Sequence, residues 1–559
     1  MSDCCHSGAG CSCHEGQAPD RKRIEVIIAL SVAVVVAILS MAFNPFPFKN
    51  GILALLTLIS IYVGRQFFIT AWEQLRQRKA SMNTLVSLSV SIAFLYSLII
   101  SIFPLILTSR GLEPTTYFES AAMIIAFVLT GHYLEDKAKR GTAEAVKALT
   151  GLQPETVRLR KVSVENGMPV VEEVEIHIGD VKPGDIVIVH PGERISVDGI
   201  VTAGFSEVDE TLLTGESEPV LKDSGAEVFA GTVNGGGILN IKIQKGNDET
   251  VLAAIIRLVK GAEASRAPIE KTVDKVAAWF VPVIVGISVL AFILWAVLEP
   301  SDGVVMGLIA MVSTLVIACP CALGLATPTA IIAGIGNGAS KGILIKDAAS
   351  LQNAWRVNTV VLDKTGTLTV GNALDGTPDK VKPTTPPAIE RLKAMGVKPV
   401  MLTGDREDEA IRIAAEAGVE EVHAGVSPVG KSEFVEGLRR EGRVVAMVGD
   451  GINDSAALAG ADLSIAMGKG SEIAMDAAMV TIVSSDLGKI PALMKLSRRT
   501  DRIVKENLFW AFFYNALAVP MAAGLAYLIT GHILSPMIAA ACMSLSSLTV
   551  VGNSLRLRR

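Results

Sequence analysis

A chain of 559 residues has room for several domains, and half of its residues are hydrophobic. The mean hydropathy of +0.46 excludes a wholly water-soluble globule and requires membrane spans. A net charge of −5 gives no indication of nucleic-acid binding, and seven cysteines placed in a tail and in apolar runs do not form a disulfide framework.

Residues 1–20 form a tail with Cys4, Cys5, Cys11 and Cys13 beside His6 and His14, among Gly and Ser. It is too short and polar to fold alone. Its donors suit a soft metal such as Cu(I), and an incidental tail is the other reading. About eight apolar runs then follow, near 24–43, 51–72, 84–108, 116–134, 279–299, 303–326, 507–529 and 533–552. Each approaches the ~20 residues that cross a bilayer as a helix. The spans group as residues 21–140 (first to fourth), 271–336 (fifth and sixth) and 501–559 (seventh and eighth).

Basic residues orient them. Arg21, Lys22 and Arg23 precede the first run; Arg76, Arg78 and Lys79 follow the second; Lys137, Lys139 and Arg140 follow the fourth; Arg556, Arg558 and Arg559 close the chain. By the positive-inside rule both termini and both large loops are cytoplasmic.

Residues 141–270 make the first cytoplasmic insert. Apolar and polar positions alternate there between turn signals such as Pro183-Gly184-Asp185 and His190-Pro191-Gly192, which predicts a β-rich domain. It contains Leu213-Thr214-Gly215-Glu216-Ser217, a turn that presents one carboxylate.

The second insert, 337–500, alternates strand-like and helix-like runs: Thr359–Leu362, Pro387–Met395, Lys398–Leu402, Glu407–Ala417 and Arg443–Val448. That is the pattern of an α/β domain with a parallel sheet. Three strand ends carry polar groups. They are Asp363-Lys364-Thr365-Gly366-Thr367-Leu368-Thr369, Thr403-Gly404-Asp405 and Asp450-Gly451-Ile452-Asn453-Asp454. Carboxyl ends of parallel strands lie side by side, so the three loops converge. Asp363 at a strand exit, wrapped by small residues, is positioned to become an aspartyl-phosphate. Asp450 and Asp454 offer hard oxygen ligands for Mg²⁺, and Lys431 a charge for a phosphoryl oxygen.

In the sixth run, Pro320 between Cys319 and Cys321 opens the helix backbone, so two thiols can face one point in mid-membrane. The last two runs, Leu508 to Asn553, contain no Asp, Glu, Lys or Arg. They offer Tyr514, Asn515, Met543 and Ser547. Thiolates with a thioether match a soft monovalent ion, whereas a divalent ion such as Zn²⁺ or Cd²⁺ favours added carboxylate charge.

The Asp363–Thr369 string resembles the phosphorylation signature of P-type ATPases. With Cys319-Pro320-Cys321 and two spans ahead of the usual core, the chain resembles the heavy-metal branch, and the last two spans resemble those of copper(I) exporters. The resemblance implies a multi-span α-helical membrane domain, a β-rich actuator domain and a haloacid-dehalogenase-like α/β phosphorylation domain. It implies Asp363 as nucleophile within a catalytic set of Lys364, Thr365, Thr403 and Lys431, with Mg²⁺ held by Asp363, Thr365, Asp450 and Asp454. In the actuator loop it implies that Glu216, with Thr214 and Gly215, positions the water that hydrolyses the phosphoenzyme. Cu⁺ is the implied cargo, bound by Cys319, Cys321, Tyr514, Asn515, Met543 and Ser547 after passing Met82, Glu119 and Asp274. ATP or another phosphate donor, the lipid bilayer of a cell membrane and a cytoplasmic copper chaperone complete the expected partners.

The sequence departs from the family at two places. Between Thr369 and the helix-like run lies a linker, 370–387, rich in Pro, Asp and Thr, where the family inserts a nucleotide-binding domain. His190-Pro191 lies on the wrong side of Asp363 to supply that domain's His-Pro motif. A folded N-terminal metal-binding domain is likewise replaced by the short tail. Three readings follow: a reduced or engineered copper(I) pump, with a zinc- or cadmium-type exporter as the nearest alternative within that class, a metal-binding scaffold without ATP turnover, and a membrane-tethered phosphatase using Asp363.

Overall fold

The computed structural model describes residues 19–41, 48–77, 82–108, 116–142, 154, 156–165, 168–211, 218–246, 249–299, 302–318, 321–370, 379–449, 454–468, 478–484 and 486–558. The chain divides into two units: residues 1–138, 272–325 and 507–552, and residues 139–271, 326–506 and 553–559.

The first unit is helical. Among the described residues six helices are long and apolar enough to cross a membrane, at Lys22–Ser40, Asn83–Ile102, Pro268–Leu298, Gly303–Ala339, Lys489–Thr530 and Pro536–Arg558. A seventh span arises if Lys49–Val63 and Arg65–Arg76 count as one, although they meet at 62°. The break falls at Gly64, where an added Cβ would lie 2.9 Å from Ile125 Cγ2. The fourth expected span lies on the Phe118–Thr142 helix. Its apolar part, Phe118–Tyr133, is shorter than the other spans because charged residues begin at Glu135.

Ala29, Ala33 and Val36 of the first helix bury against Leu53, Phe118, Ala122 and Ala126. Small side chains let helices approach closely where the lipid supplies no hydrophobic drive. Large apolar side chains such as Ile27, Ile38, Leu55, Leu290 and Leu517 stay exposed. In water they would be a liability; against acyl chains they are the expected covering.

The second unit holds all the described strands. Six form one antiparallel sheet in the order β2-β1-β3-β9-β4-β7: β1 Thr156–Glu165, β2 Met168–His177, β3 Ile186–Val189, β4 Gly199–Ala203, β7 Glu227–Val228 and β9 Leu239–Ile243. Three more, β5 Ser206–Asp209, β6 Val220–Lys222 and β8 Val233–Asn234, pair as β6-β5-β8. Inward positions Val187, Val189, Ile195, Val201, Leu239 and Ile241 make the core, as period-two alternation requires.

The α/β part carries a seven-stranded sheet, ordered β10-β16-β15-β14-β11-β12-β13. The strands are β10 Ile343–Ile345, β11 Thr359–Asp363, β12 Lys398–Leu402, β13 Glu421–His423, β14 Val445–Gly449, β15 Leu463–Met467 and β16 Val480–Ile482. All neighbours are parallel except β10 with β16. β11, β14 and β15 are buried along their whole length, which explains their near-continuous apolar sequences.

Two boundaries differ from expectation. The line at 500/501 falls inside one continuous helix, Lys489–Pro520, whose charged first half and apolar second half read in sequence as separate elements. The line at 270/271 likewise falls inside Pro268–Leu298. The linker 370–387 also needs correction, because its second half belongs to the domain. Thr369 and Val381 form an antiparallel bridge, the Val370 amide donates to Lys380 O at 3.0 Å, and the next helix starts at Thr385. Helix entry at Thr385 follows from the two prolines after it, whose fixed φ suits a first turn.

Candidate phosphorylation site

β11 ends at Asp363, in register with Leu402 of β12, while Leu362 pairs with Val448 of β14. The loops that leave these three strands therefore meet at one sheet edge. Ser427 caps the Pro428–Arg440 helix by accepting from the Gly430 amide, with Pro428 in the first turn. That cap sets Lys431 one turn in. Its Nζ lies 2.5 Å from Asp363 Oδ1 and 2.7 Å from Asp454 Oδ1, and all three side chains are buried. Burial alone would lower the Lys431 pKa, but the two carboxylates outweigh it and hold the group above the ordinary lysine value.

Among the described residues, Asp454 Oδ2 is buried with no hydrogen-bond partner. Gly449 lets it sit close, since a Cβ there would come within 2.5 Å of that oxygen. A buried carboxylate oxygen left open beside Asp363 fits a hard cation, so the residues present suit Mg²⁺. Among the described residues no three His, Cys, Asp or Glu side chains gather as a complete metal cage. Asp450, the other expected ligand, lies outside the described residues. When bound, Mg²⁺ would neutralise phosphoryl charge at Asp363 and Asp454.

Thr403 is buried at the end of β12, where its hydroxyl donates to Asp405 Oδ2 at 2.8 Å. Thr365 is exposed. Thr367 is fully buried, and among the described residues its hydroxyl has no partner.

Lys364 takes a different place from the one expected. Its amine turns to Asp405 at 2.9 Å, Glu409 at 3.1 Å and Asp379 at 3.2 Å, instead of toward a phosphoryl position. The reason is charge. Three carboxylates converge on one buried cation, so that although burial opposes it, the Lys364 pKa rises well above the usual range. Asp405 moves the other way: burial raises it, yet the bonds from Lys364 and Thr403 leave it below the ordinary carboxylate value.

Sequence reasoning missed Asp379 and Lys382. Asp379 accepts from the Thr369 hydroxyl at 3.0 Å as well as pairing with Lys364, and Arg412 donates to its carbonyl at 2.9 Å. Lys382 Nζ donates to the Gly366 carbonyl. Burial pushes Lys382 down to about 8, only partly offset by Asp486. The signal available was Asp379-Lys380-Val381-Lys382-Pro383, an abrupt charged string closing an otherwise bland linker.

Thr214, Gly215 and Glu216 lie outside the described residues, but the base of their loop is visible. The Glu210 carboxylate, one residue past β5, and the Lys222 amine, ending β6, form a buried ion pair at 2.7 Å. In the membrane unit the described helices Gly303–Ile317 and Cys321–Ala326 flank residues 319–320. Cys319, Pro320 and the Cys321 side chain lie outside the described residues, as do Cys4, Cys5, Cys11 and Cys13. Met543 is buried in the same cluster as Leu315, Val316, Ile317 and Ala318, the residues that lead into Cys319. Ser547, also buried, is one turn along from Met543 and on the same helix face. Asn515 is half-buried, whereas Tyr514 is exposed beside Trp510 and Phe513. Glu119 accepts from the Ser40 hydroxyl at 3.1 Å. Asp274 is exposed and the Met82 side chain is outside the described set.

This fold and this strand-end site are those of a P-type ATPase. Residues 152–260 match the P-type ATPase actuator-domain family, and residues 372–462 match the haloacid dehalogenase-like hydrolases. A probable copper-transporting ATPase of Synechococcus elongatus is 39% identical over 90% of this chain and 81% of its own length. A silver-exporting P-type ATPase of Salmonella typhimurium is 37% identical, with 95% of this chain and 79% of the relative aligned. For a copper-exporting P-type ATPase of Legionella pneumophila the values are 36%, 95% and 88%. The crystal structure of a zinc-transporting PIB-type ATPase in its E2.Pi state superposes with a TM-score of 0.52 at 25% identity, covering 96% of this chain and all of that one. The chain belongs to the heavy-metal P-type ATPases, multi-pass membrane proteins that work through a phosphorylated aspartate.

Proposed function

We propose that this protein exports Cu⁺ by forming and hydrolysing an acyl phosphate on Asp363. The observation that carries the reading is the buried Lys431 bridging Asp363 and Asp454, with one Asp454 oxygen left open for a cation. An Asp363 oxygen attacks the terminal phosphorus of the donor. The bond to the donor's bridging oxygen breaks, and the leaving group departs with the electron pair. Lys431 neutralises charge on the reacting oxygens and Thr403 contributes a hydroxyl at the same edge. Mg²⁺ would be held by Asp363, Asp454, Asp450 and Thr365, and would supply charge neutralisation to the phosphoryl oxygens. In the second half Glu216, with Thr214 and Gly215 shaping its loop, takes a proton from water. The water oxygen attacks phosphorus, freeing the Asp363 carboxylate and inorganic phosphate.

Cys319, Cys321 and Met543 form the cargo site, with Asn515, Ser547 and Tyr514 on the flanking helices. Support for a soft monovalent ion comes from the absence of Asp, Glu, Lys and Arg between Leu508 and Asn553. Met82 and Asp274 line the inner-face access route, and the four tail cysteines gather metal ahead of it; Glu119, bonded to Ser40 at the end of the first helix remote from Arg21, Lys22 and Arg23, belongs to the outer face instead. Both termini face the cytoplasm of a cell-membrane protein, where a copper chaperone delivers the ion.

The nucleotide-binding domain is missing between Val370 and Asp379. Eight residues cannot build a domain. The alignment with the Synechococcus relative runs over 617 positions, more than the 559 residues here, although only 90% of these take part. Adenine thus loses its binding surface, while phosphoryl transfer keeps its own residues. Measuring acid-stable phosphoenzyme with Cu⁺ or Zn²⁺, from ATP or acetyl phosphate, tests the whole reading. Cu⁺-dependent labelling that Asp363→Asn abolishes is expected. Labelling that is indifferent to metal would favour a phosphatase, and none at all would favour a scaffold.

A further inference from the structure

We infer that Lys382, which follows the segment 371–378, is a positioning residue that holds the phosphorylation loop in reactive shape. The inference rests on the reading of Asp363 as the phosphorylated residue.

The loop after Asp363 reverses through Gly366, whose φ of +73° lies in the left-handed region. A turn of this kind points the Gly366 carbonyl away from the helical direction and leaves it needing a donor. Lys382 supplies it. The surrounding contacts show that this is a built brace. The Lys382 amide donates to Leu368 O at 3.0 Å, and the Thr385 hydroxyl donates to the same carbonyl at 3.0 Å. Bridge pairing of Thr369 with Val381 fixes the register. Residues 366–370 are thereby laid along residues 380–385, and the side chain of Lys382 reaches the one point of the loop where the backbone reverses.

A hydrophobic residue could fill this volume more cheaply. Burying an ammonium costs stability unless charge partners offset it, and among the described residues Asp486 alone does so here. Among the described residues, the groups that face the amine are the Gly366 carbonyl of the loop and Asp486 from the segment ahead of the Lys489–Pro520 helix. Asp379, on the same segment as Lys382, is turned to Lys364. A cation kept where the fold does not need it for stability points to the reaction. Charge makes the bond to Gly366 stronger than a neutral donor would.

The test uses the full chain in detergent with radiolabelled acetyl phosphate as donor. The transfer balances, since an Asp363 oxygen bonds to phosphorus as acetate leaves with the electrons of the broken P–O bond. Lys382→Met should lower the maximal rate of phosphoenzyme formation about tenfold or more, with under about threefold change in half-saturating donor. Lys382→Arg should restore most of the rate. It should also hold it above pH 8, where the parent declines as the amine loses its proton. Lys382→Gln, smaller and uncharged, should fall between them. A Met variant as fast as the parent overturns the inference, and so does an Arg variant as slow as Met. If Lys382→Met fails to fold, Gln against Arg decides by the same criteria. Should the parent form no phosphoenzyme from any donor, the Asp363 reading fails and the positioning role falls with it. That result is distinct from equal labelling of parent and variant.

Discussion

Lys431 holds the Asp363 carboxylate at 2.5 Å while its second contact, Asp454 Oδ1, lies at 2.7 Å. One cation thus keeps two carboxylates apart in charge and together in space. Removing it by Lys431→Met should slow phosphoenzyme formation by about 10²–10³-fold, the usual loss for a pre-aligned charge in a dry site. Single-turnover labelling with acetyl phosphate checks this, and an unchanged rate removes Lys431 from the reaction.

Lys364 should behave differently, as a structural cation. Its loss leaves Asp379, which is fully buried, together with Asp405 and Glu409 facing one another unpaired. Lys364→Met should destabilise the phosphorylation domain by about 3–5 kcal/mol. Asp405→Asn, at a carboxylate 39% exposed, should cost far less. Thermal unfolding of the two variants measures the contrast, and equal midpoints would count against the network.

The pH dependence of stability carries a definite sign. Folded Lys382 releases its proton near pH 8, whereas the same side chain in an unfolded chain does so near 10.5. Between those values the unfolded chain binds more protons, so stability rises with pH across the window. Parent minus Lys382→Met should therefore increase by roughly 1–3 kcal/mol from pH 8 to 10. Lys431, raised instead of lowered, retains its contribution throughout that range and loses it only at higher pH. A difference that falls with pH would contradict the Lys382 assignment.

Much of the fold is legible in the sequence, because strands buried on both faces must be apolar throughout and the spans must be long. Thr359–Leu362, Lys398–Leu402 and Arg443–Val448 mark the central strands nearly residue for residue. Asp363 and Lys431 are legible because strand ends and a capped helix start leave few other places for them. Asp379 and Lys382 are not. Their partners, Lys364 and Gly366, lie on the other side of segment 371–378, and a one-dimensional pattern carries no record of a pairing that closes a loop. Lys364 misleads for a related reason: adjacency to Asp363 suggests a shared task, yet successive side chains diverge as the strand gives way to the loop.

Glu216→Gln should let phosphoenzyme accumulate, its decay slowed about 10²-fold or more as the base for water is lost. Pulse-chase labelling follows the decay directly. Decay as fast as the parent's would assign the water-activating role elsewhere.

Cys319→Ser with Cys321→Ser, in a chain lacking residues 1–18, should lose high-affinity Cu⁺ binding. With the cysteines intact, Zn²⁺ should bind more weakly than Cu⁺, since no carboxylate between Leu508 and Asn553 balances its second charge. Equilibrium competition against a chelator of known affinity provides the measure. Undiminished Cu⁺ stoichiometry in the double variant would move the cargo site.

The bridge between Thr369 and Val381, with Val370 bonded to Lys380, brings the two ends of segment 371–378 side by side. Anything spliced between them begins and finishes at nearly the same point, so it hangs from the phosphorylation domain by a closed neck and bears no strain from it. Loss or gain of a whole module there leaves the geometry around Asp363 untouched. The pump's fuel supply and its chemistry are mechanically separable at this neck, and a lineage could exchange one without rebuilding the other.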